Sequence, residues 1–480
     1  MSGGRGKLFV ENFLVYGLSG IIGKVIPLFM LPIVTRLVPD SSVYGTADLL
    51  NVIVSFGTAF AVLGLYDAMF RTFFDDEASA HRSAVCSTAA IIVAASSLTL
   101  GLLLVVFSGT LSKALFSSVE YHFWVCLMGI QTFLSSVHSI LSAPTRMQNR
   151  RKVYVLLSII MPVFSYGVSI PLIVFIDPLL GLVMGGFFSS LLSLAIFWSL
   201  NKGWFKPELF DRKLGLEMLK IGLPLMPTFL IYWVYSSMDR IMISHFLGTT
   251  ENGIYAVGAK ISQISQFFYT AFAGGWQYFA FSTMKDQDQV DLNSRVFEYL
   301  GVLSFFGTIG LIPFIPSIFQ LLFKGRYIEG YTVAPYLFLS PLLLMLFQVA
   351  GNQLLVIKKS FWVTLSLLLG AMVNLILNYG LIPVFGIRGA AVATLMGYTC
   401  SVAAIAALTV KWRLLGLKKR FFAVAFLVFG SLVLASFPKS QGISIVSILY
   451  TMASLAWTLF LYRYEAHSVF LHFFPKRKLA

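Results

Sequence analysis

Long apolar runs separated by short polar turns fill most of the chain. Fourteen runs can be marked, near 13–38, 44–70, 83–108, 120–142, 153–176, 179–200, 219–245, 252–284, 296–322, 331–357, 361–384, 387–410, 421–437 and 442–462. At about 1.5 Å per residue, each is long enough, or nearly so, to cross a hydrocarbon core of about 30 Å. The strict alternation of an outer-membrane barrel is absent. The pattern predicts an all-α polytopic membrane protein with about fourteen transmembrane helices.

The polar connections carry an orientation. With the N-terminus inside, 26 of the 35 Lys and Arg residues fall on the cytoplasmic side and seven on the other. Basic loops stay cytoplasmic, so this bias predicts cytoplasmic N- and C-termini. The basic start, Met1 to Lys7, lacks a small-residue cleavage site and reads as the lead-in to an uncleaved helix. The external loops are short, which counts against an enzyme that polymerises or ligates sugars at the outer face.

The chain repeats itself at an offset of 208 residues. Gly45 meets Gly253, and Phe70 and Phe73 meet Tyr278 and Phe281. Arg150-Arg151-Lys152-Val153-Tyr154 meets Lys358-Lys359-Ser360-Phe361-Trp362, and Gly181 meets Gly389. An even repeat of six helices points both copies the same way, so two six-helix lobes would be related by a pseudo-twofold axis along the membrane normal. The predicted divisions are an N-terminal lobe, 1–200; a cytoplasmic linker, 201–218; a C-terminal lobe, 219–411; and two additional helices with a basic tail, 412–480. Two parallel lobes with a central seam suit alternating access.

Composition agrees. Hydrophobic residues make up 58% and charged residues 11%, with mean hydropathy +0.84. The net charge of +15 reads as topogenic charge in short loops, with a possible second role at anionic lipid, and not as a nucleic-acid surface. Cys86, Cys126 and Cys400 lie in apolar runs without metal-ligand spacing, so neither a metal site nor another cofactor is expected. No Walker A pattern occurs, which argues against direct ATP hydrolysis.

Ionisable residues inside apolar runs carry the candidate chemistry, because each costs about 2.5–3.5 kcal/mol in hydrocarbon unless it faces a partner or a cavity. Lys24 sits too deep in the first run to reach water with ease; it faces a cavity or pairs with a helix carbonyl. Lys260 heads a polar stripe of Gln263, Gln266, Thr270 and Gln277, spaced three or four residues apart apart from one longer step through Gly274. Such a stripe cannot face lipid tails. Asp239 and Arg240 are adjacent and do not share a helical face, so they should have different partners. Their roles are gating, substrate contact or an interfacial anchor. Pro224 and Pro227 should bend or break the helix before them. Asp48 could balance a nearby cation or carry a proton. Arg36 stands near the outer end of the first helix. A cavity with more cations than acids suits an anionic group, phosphate or diphosphate above all.

The chain resembles the polysaccharide transporter family of the multidrug/oligosaccharidyl-lipid/polysaccharide exporter superfamily, which includes O-antigen flippases. The residues that carry the resemblance are Thr35-Arg36-Leu37-Val38-Pro39 with Tyr44-Gly45; Gly222-Leu223-Pro224-Leu225-Met226-Pro227; Asp239-Arg240 through His245-Phe246-Leu247-Gly248; and Gly253-Ile254-Tyr255. The resemblance implies a bacterial inner-membrane flippase, not an enzyme. Its substrate would be a polyprenyl-diphosphate-linked oligosaccharide, such as an O-antigen, capsule or exopolysaccharide repeat unit. It implies a V of two lobes, with helices 1, 2, 7 and 8 lining a cationic cavity and the last two helices forming a lipid-tail groove. Lys24, Lys260, Arg36 and Arg240 are the candidate substrate contacts, and Asp48 and Asp239 the candidates for gating or ion coupling. Expected partners are the lipid-linked glycan, membrane lipid and other polysaccharide-assembly proteins. The alternative is a cation-coupled drug or metabolite exporter of the same fold, which should have an acidic, aromatic cavity.

Overall fold

A computed structural model describes residues 23, 25–282, 287–436 and 445–465. Among these residues the chain is helical throughout, with no strand. The helices are α1 (Val25–Leu37), α2 (Ser41–Ala61), α3 (Leu65–Phe73), α4 (Ser79–Val106), α5 (Ser108–Phe116), α6 (His122–Met147), α7 (Arg151–Phe175), α8 (Pro178–Asn201), α9 (Arg212–Gly222) and α10 (Met226–Trp233). They continue with α11 (Asp239–Leu247), α12 (Thr249–Ala259), α13 (Ser262–Ser282), α14 (Gln289–Leu311), α15 (Ile315–Leu322), α16 (Ala334–Val356), α17 (Ser360–Phe385), α18 (Ile387–Lys411), α19 (Lys419–Ser436) and α20 (Ile445–Leu461). Eleven helical stretches among the described residues are long and apolar enough to cross a membrane; α1 and α20 are shorter apolar helices. The chain is an all-α, multi-pass membrane protein.

Local chemistry sets the helix ends. Asp40 caps α2 by accepting from Ser42 N at 2.8 Å, and Asp177 caps α8 by accepting from Leu180 N at 2.8 Å, with Pro178 in the first turn. These carboxylates satisfy amides that have no partner inside the helix. Three predicted segments are less regular than their hydropathy indicates. Run 44–70 breaks at Val62–Gly64, where Leu63 and Gly64 both take left-handed φ, 53° and 66°. Gly64 allows backbone contact there: a Cβ on it would lie 2.3 Å from Gly222 O. Run 219–245 belongs to a longer rod, 212–247. The rod tightens to a 3₁₀ turn at Leu223–Leu225, around Pro224, and widens to a π turn at Val234–Met238. Run 252–284 is two helices, α12 and α13, separated at Lys260-Ile261.

By packing, the chain divides into two compact units. The first is Met1–Val257 with Phe323–Tyr327 and Asn374–Ala393; the second is Gly258–Leu322, Ile328–Val373 and Thr394–Ala480. In the first, α4, α6 and α8 pack side by side, and Leu65, Met69, Val85, Cys86, Ile140 and Met218 form one buried cluster. Lipid tails are as apolar as leucine, so close fit holds such helices together more than escape from water does. Gly101 and Gly129 face each other across α4 and α6, where an added Cβ would meet the opposite carbonyl at about 3 Å. In the second unit, α16 is the central helix, buried almost all round and packed on α13 and α14.

The offset of 208 reappears in the packing. Ser41 and Thr249 open α2 and α12 at that spacing. Gly181 packs on the backbone around Ile173, and Gly389 packs on the backbone at Leu381. These are the same pair of positions, one offset apart.

Candidate functional site

The site is built where α2 crosses α12. The crossing is as close as two backbones allow. A Cβ on Gly45 would fall 1.9 Å from Thr249 O, and one on Gly253 would fall 1.9 Å from Ser41 O. Each helix presents its glycine to the first-turn carbonyl of the other. Asn252 Nδ2 donates to Gly45 O at 2.9 Å and ties the crossing further. No side chain larger than hydrogen fits at either glycine, so the helices stand close enough for short side chains to meet near them.

Three charged residues cluster in this unit. Asp48 lies two turns into α2. Asp239 and Arg240 open α11, directly after the π turn. A π turn inserts one residue into the ladder and re-aims the side chains beyond it. Asp239 is buried, 5% exposed. It accepts from the Tyr255 hydroxyl on α12 and from the Arg240 backbone N–H at 2.9 Å. Arg240 points elsewhere, with Nε 3.3 Å from Asp48 Oδ2 and side chains 23% and 12% exposed. The adjacent residues thus have different partners, as their helical spacing requires. The Arg240–Asp48 contact is an ion pair without hydrogen-bond geometry: neither Arg240 Nε nor Asp48 Oδ2 has a hydrogen-bond partner. The pair is held by charge and leaves bonding capacity unused. A guanidinium so placed can take a phosphate oxygen pair in its planar fork, with Asp48 as the resident competitor.

The other predicted residues are placed as follows. Lys24 lies outside the described residues. Arg36 is exposed near the end of α1. Lys260 is half-buried in the gap between α12 and α13 and belongs to the second unit. Gln263, Gln266 and Thr270 are half-buried on α13, and the Thr270 hydroxyl turns back to donate to Gln266 O at 2.8 Å. The Gln277 side chain lies outside the described residues. Of the ten candidates, the structure joins Asp48, Asp239 and Arg240 in one cluster.

Sequence reasoning missed two features. Tyr255 stands in the Gly253-Ile254-Tyr255 stretch, but its pairing with Asp239, sixteen residues away on another helix, gives no local signal. In the second unit, Glu298 is 3% exposed and accepts from Arg420 Nε at 2.6 Å and from the Tyr462 hydroxyl at 2.8 Å; Lys418 Nζ lies 3.7 Å away. Arg420 also bridges to Glu465 at 2.6 Å and stacks 4.2 Å over the Tyr462 ring. A signal existed here, since Glu298 is the only charged residue in run 296–322.

Comparison with known proteins places this architecture. The family described as polysaccharide biosynthesis protein matches residues 33–332. "Probable flippase AglR" of Haloferax volcanii is 30% identical over 184 residues, 36% of this chain. The chain matches only 38% of the length of that relative. "Lipid II flippase MurJ, inward closed conformation" superposes with a TM-score of 0.70 at 14% identity, over 94% of this chain and 99% of the other. An inward-facing multidrug resistance MATE family transporter of the MOP superfamily superposes at 0.58 and 14% identity, over 85% and 99%. At these identities the superpositions show a shared fold.

Proposed function

The chain belongs to the polysaccharide biosynthesis protein family, and from that premise we propose that it moves a lipid-linked glycan precursor across the membrane. The observation that carries this reading is the family match itself, over the stretch that holds Asp48, Asp239 and Arg240. The substrate is a polyprenyl-diphosphate-linked oligosaccharide of the O-antigen, capsule or exopolysaccharide type, flipped outward in a bacterial inner membrane. Both termini are cytoplasmic. The lobes 1–200 and 219–411, joined by the linker 201–218 and followed by 412–480, rock about a pseudo-twofold axis without direct ATP hydrolysis. Arg240 receives the diphosphate and Asp48 releases it. Lys24, Lys260 and Arg36 are further candidate cations for the substrate's diphosphate, and Gln263, Gln266, Thr270 and Gln277 are candidate polar contacts. Asp239 sets the position of Arg240 through their shared backbone.

The competing reading is a cation-coupled drug or metabolite exporter of the same fold. A cation site needs available carboxylates, whereas Asp48 is paired with Arg240 and Asp239 with Tyr255. The test is reconstitution of the purified protein in vesicles carrying a fluorescent polyprenyl-diphosphate-linked glycan on one leaflet. Faster leaflet exchange than in protein-free vesicles, lost in Arg240→Ala, is the expected result. No exchange above background, together with proton- or sodium-driven export of a cationic dye, would establish the exporter instead.

A further inference from the structure

The first unit carries an apolar groove whose lining includes none of the charged cluster. Its floor is α6, which presents Phe133, Val137 and Leu141 between walls that include Ile91 of α4 and Leu194 of α8. Phe133 to Leu141 spans about 12 Å along the helix. The cavity holds about 360 Å³. One end is closed by the segment after α8, where Phe205 is buried and Lys206 and Pro207 complete the lining.

That end is built, not draped. Ser87 Oγ accepts from Lys206 N at 2.8 Å and donates to Ser83 O at 2.7 Å. Asn201 Nδ2 donates to Leu141 O and Thr145 Oγ1, both at 2.8 Å, and fixes the end of α8 to the end of α6. The Ser87 hydroxyl is therefore already satisfied, and apart from Lys206 and the Trp198 ring nitrogen the rest of the lining is apolar. Lys206 is exposed at its mouth and has no carboxylate in ion-pair reach among the described residues. Glu208 is exposed two residues on and takes no part in the lining. Trp198 lies on the rim, 48% exposed, stacked on Phe205 at 6.2 Å. An amphipathic ring at this level marks the depth of lipid headgroups. Lys202 adds a second exposed cation four residues before Lys206.

An elongated apolar slot in a membrane-spanning helix bundle, with a cation at its polar end, matches an amphiphile with one anionic head and a hydrocarbon chain. We propose that this groove binds an anionic phospholipid of the phosphatidylglycerol class, one acyl chain lying on α6 and its phosphate against Lys206. Phospholipid fits better than free phosphate because the slot is mostly a long apolar bed with cations only at one end. Lipid bound there would brace the segment that joins α8 to α9. This proposal is independent of the identity of the transported substrate.

The test uses the full-length protein in nanodiscs of 1:1 phosphatidylglycerol and phosphatidylcholine, released and weighed by native mass spectrometry. Phosphatidylglycerol is expected to be retained over phosphatidylcholine, and Lys206→Gln should cut its retention about fivefold. Val137→Trp, which fills the floor, should displace both lipids, and Ala94→Leu should do the same if Val137→Trp fails to fold. Brominated phosphatidylglycerol should quench Trp198, read as the difference from Trp198→Phe. Equal retention of the two lipids, or retention unchanged in Lys206→Gln, overturns the proposal. So does a dimer mass that Val137→Trp abolishes, which would assign the groove to a second copy. Displacement of phosphatidylglycerol by a polyprenyl phosphate at equal concentration would assign it to an isoprenoid chain and equally overturn the proposal.

Discussion

Two arginine–carboxylate clusters lie inside this membrane protein, and they are built to opposite specifications. Around Glu298 the contacts are several and short. One carboxylate takes a guanidinium and a phenol at hydrogen-bond distance with an ammonium beyond, and the same guanidinium reaches a second carboxylate. Around Arg240 the charges are matched but the bonds are not: one contact at 3.3 Å, off-angle, with both atoms otherwise unbonded. A cluster tied by several short bonds resists change, because any movement breaks them at once. One held by a single off-angle contact gains by accepting a ligand. The first is suited to fastening α14, α19 and the end of α20; the second is suited to binding.

Five measurements would break or sharpen that contrast. Glu298→Ala has the largest expected effect on stability, about 3 kcal/mol, because Arg420 loses its buried partner and keeps only Glu465. Thermal unfolding of the detergent-solubilised protein reads it, and a melting temperature within error of wild type would remove the distinction. Gly253→Ala should cost about 1–3 kcal/mol, since its new methyl meets the Ser41 carbonyl and two backbones must move apart. Gly45→Ala should match it, and the double substitution should cost less than the sum. Arg240→Ala should lower stability by only about 1 kcal/mol, because the pair makes one off-angle contact and no hydrogen bond, while glycan translocation falls to background. A stability loss equal to that of Glu298→Ala would make Arg240 a fastener too. Asp48→Asn should change stability by less than about 1 kcal/mol, tighten diphosphate binding and slow turnover. Competition with inorganic diphosphate in the vesicle assay separates those two effects.

The smallest effect is electrostatic and lies beyond α20. Burial pushes the Glu465 carboxyl up, but its backbone hydrogen bond and Arg420 outweigh that and hold it below the usual carboxylate range. A carboxyl depressed in the folded state contributes stability above its unfolded value, about 4.3, and loses it as pH falls through the lower folded value. Acidification below about pH 4 should therefore loosen the end of α20 in the wild type, and Glu465→Gln should remove that acid-dependent part. Hydrogen exchange of the Tyr462–Glu465 amides measures it.

Much of this arrangement was legible in the sequence. Hydropathy and length show a multi-pass helical protein, because bilayer thickness dictates run length directly. Pro224 marked the irregular turn at 223–225 through its missing N–H. Adjacent positions on a helix must diverge, and Asp239 and Arg240 do. What was not legible depends on geometry between distant residues. The Val62–Gly64 break has only Gly64 as a cue, and Leu63 adopts its left-handed φ because the bend demands it. The gap beside Lys260 is hidden because its flanks are as apolar as a continuous helix. Arg420 finds Glu298 across 122 residues, and no periodicity within a segment reports such a pairing.

The glycine crossing of α2 and α12 also sets a problem of timing. The 208 residues between Gly45 and Gly253 take about 10–40 s to synthesise at about 5–20 residues per second. Throughout that interval the Gly45 strip of α2 lacks the partner that closes on it in the folded protein. Glycine there is easily approached by any small-faced helix that emerges first, and α4, α6 and α8 all do. Correct assembly then depends on those early neighbours fitting the strip worse than α12 does. The closeness that lets no methyl group in is also what makes the late partner the best one.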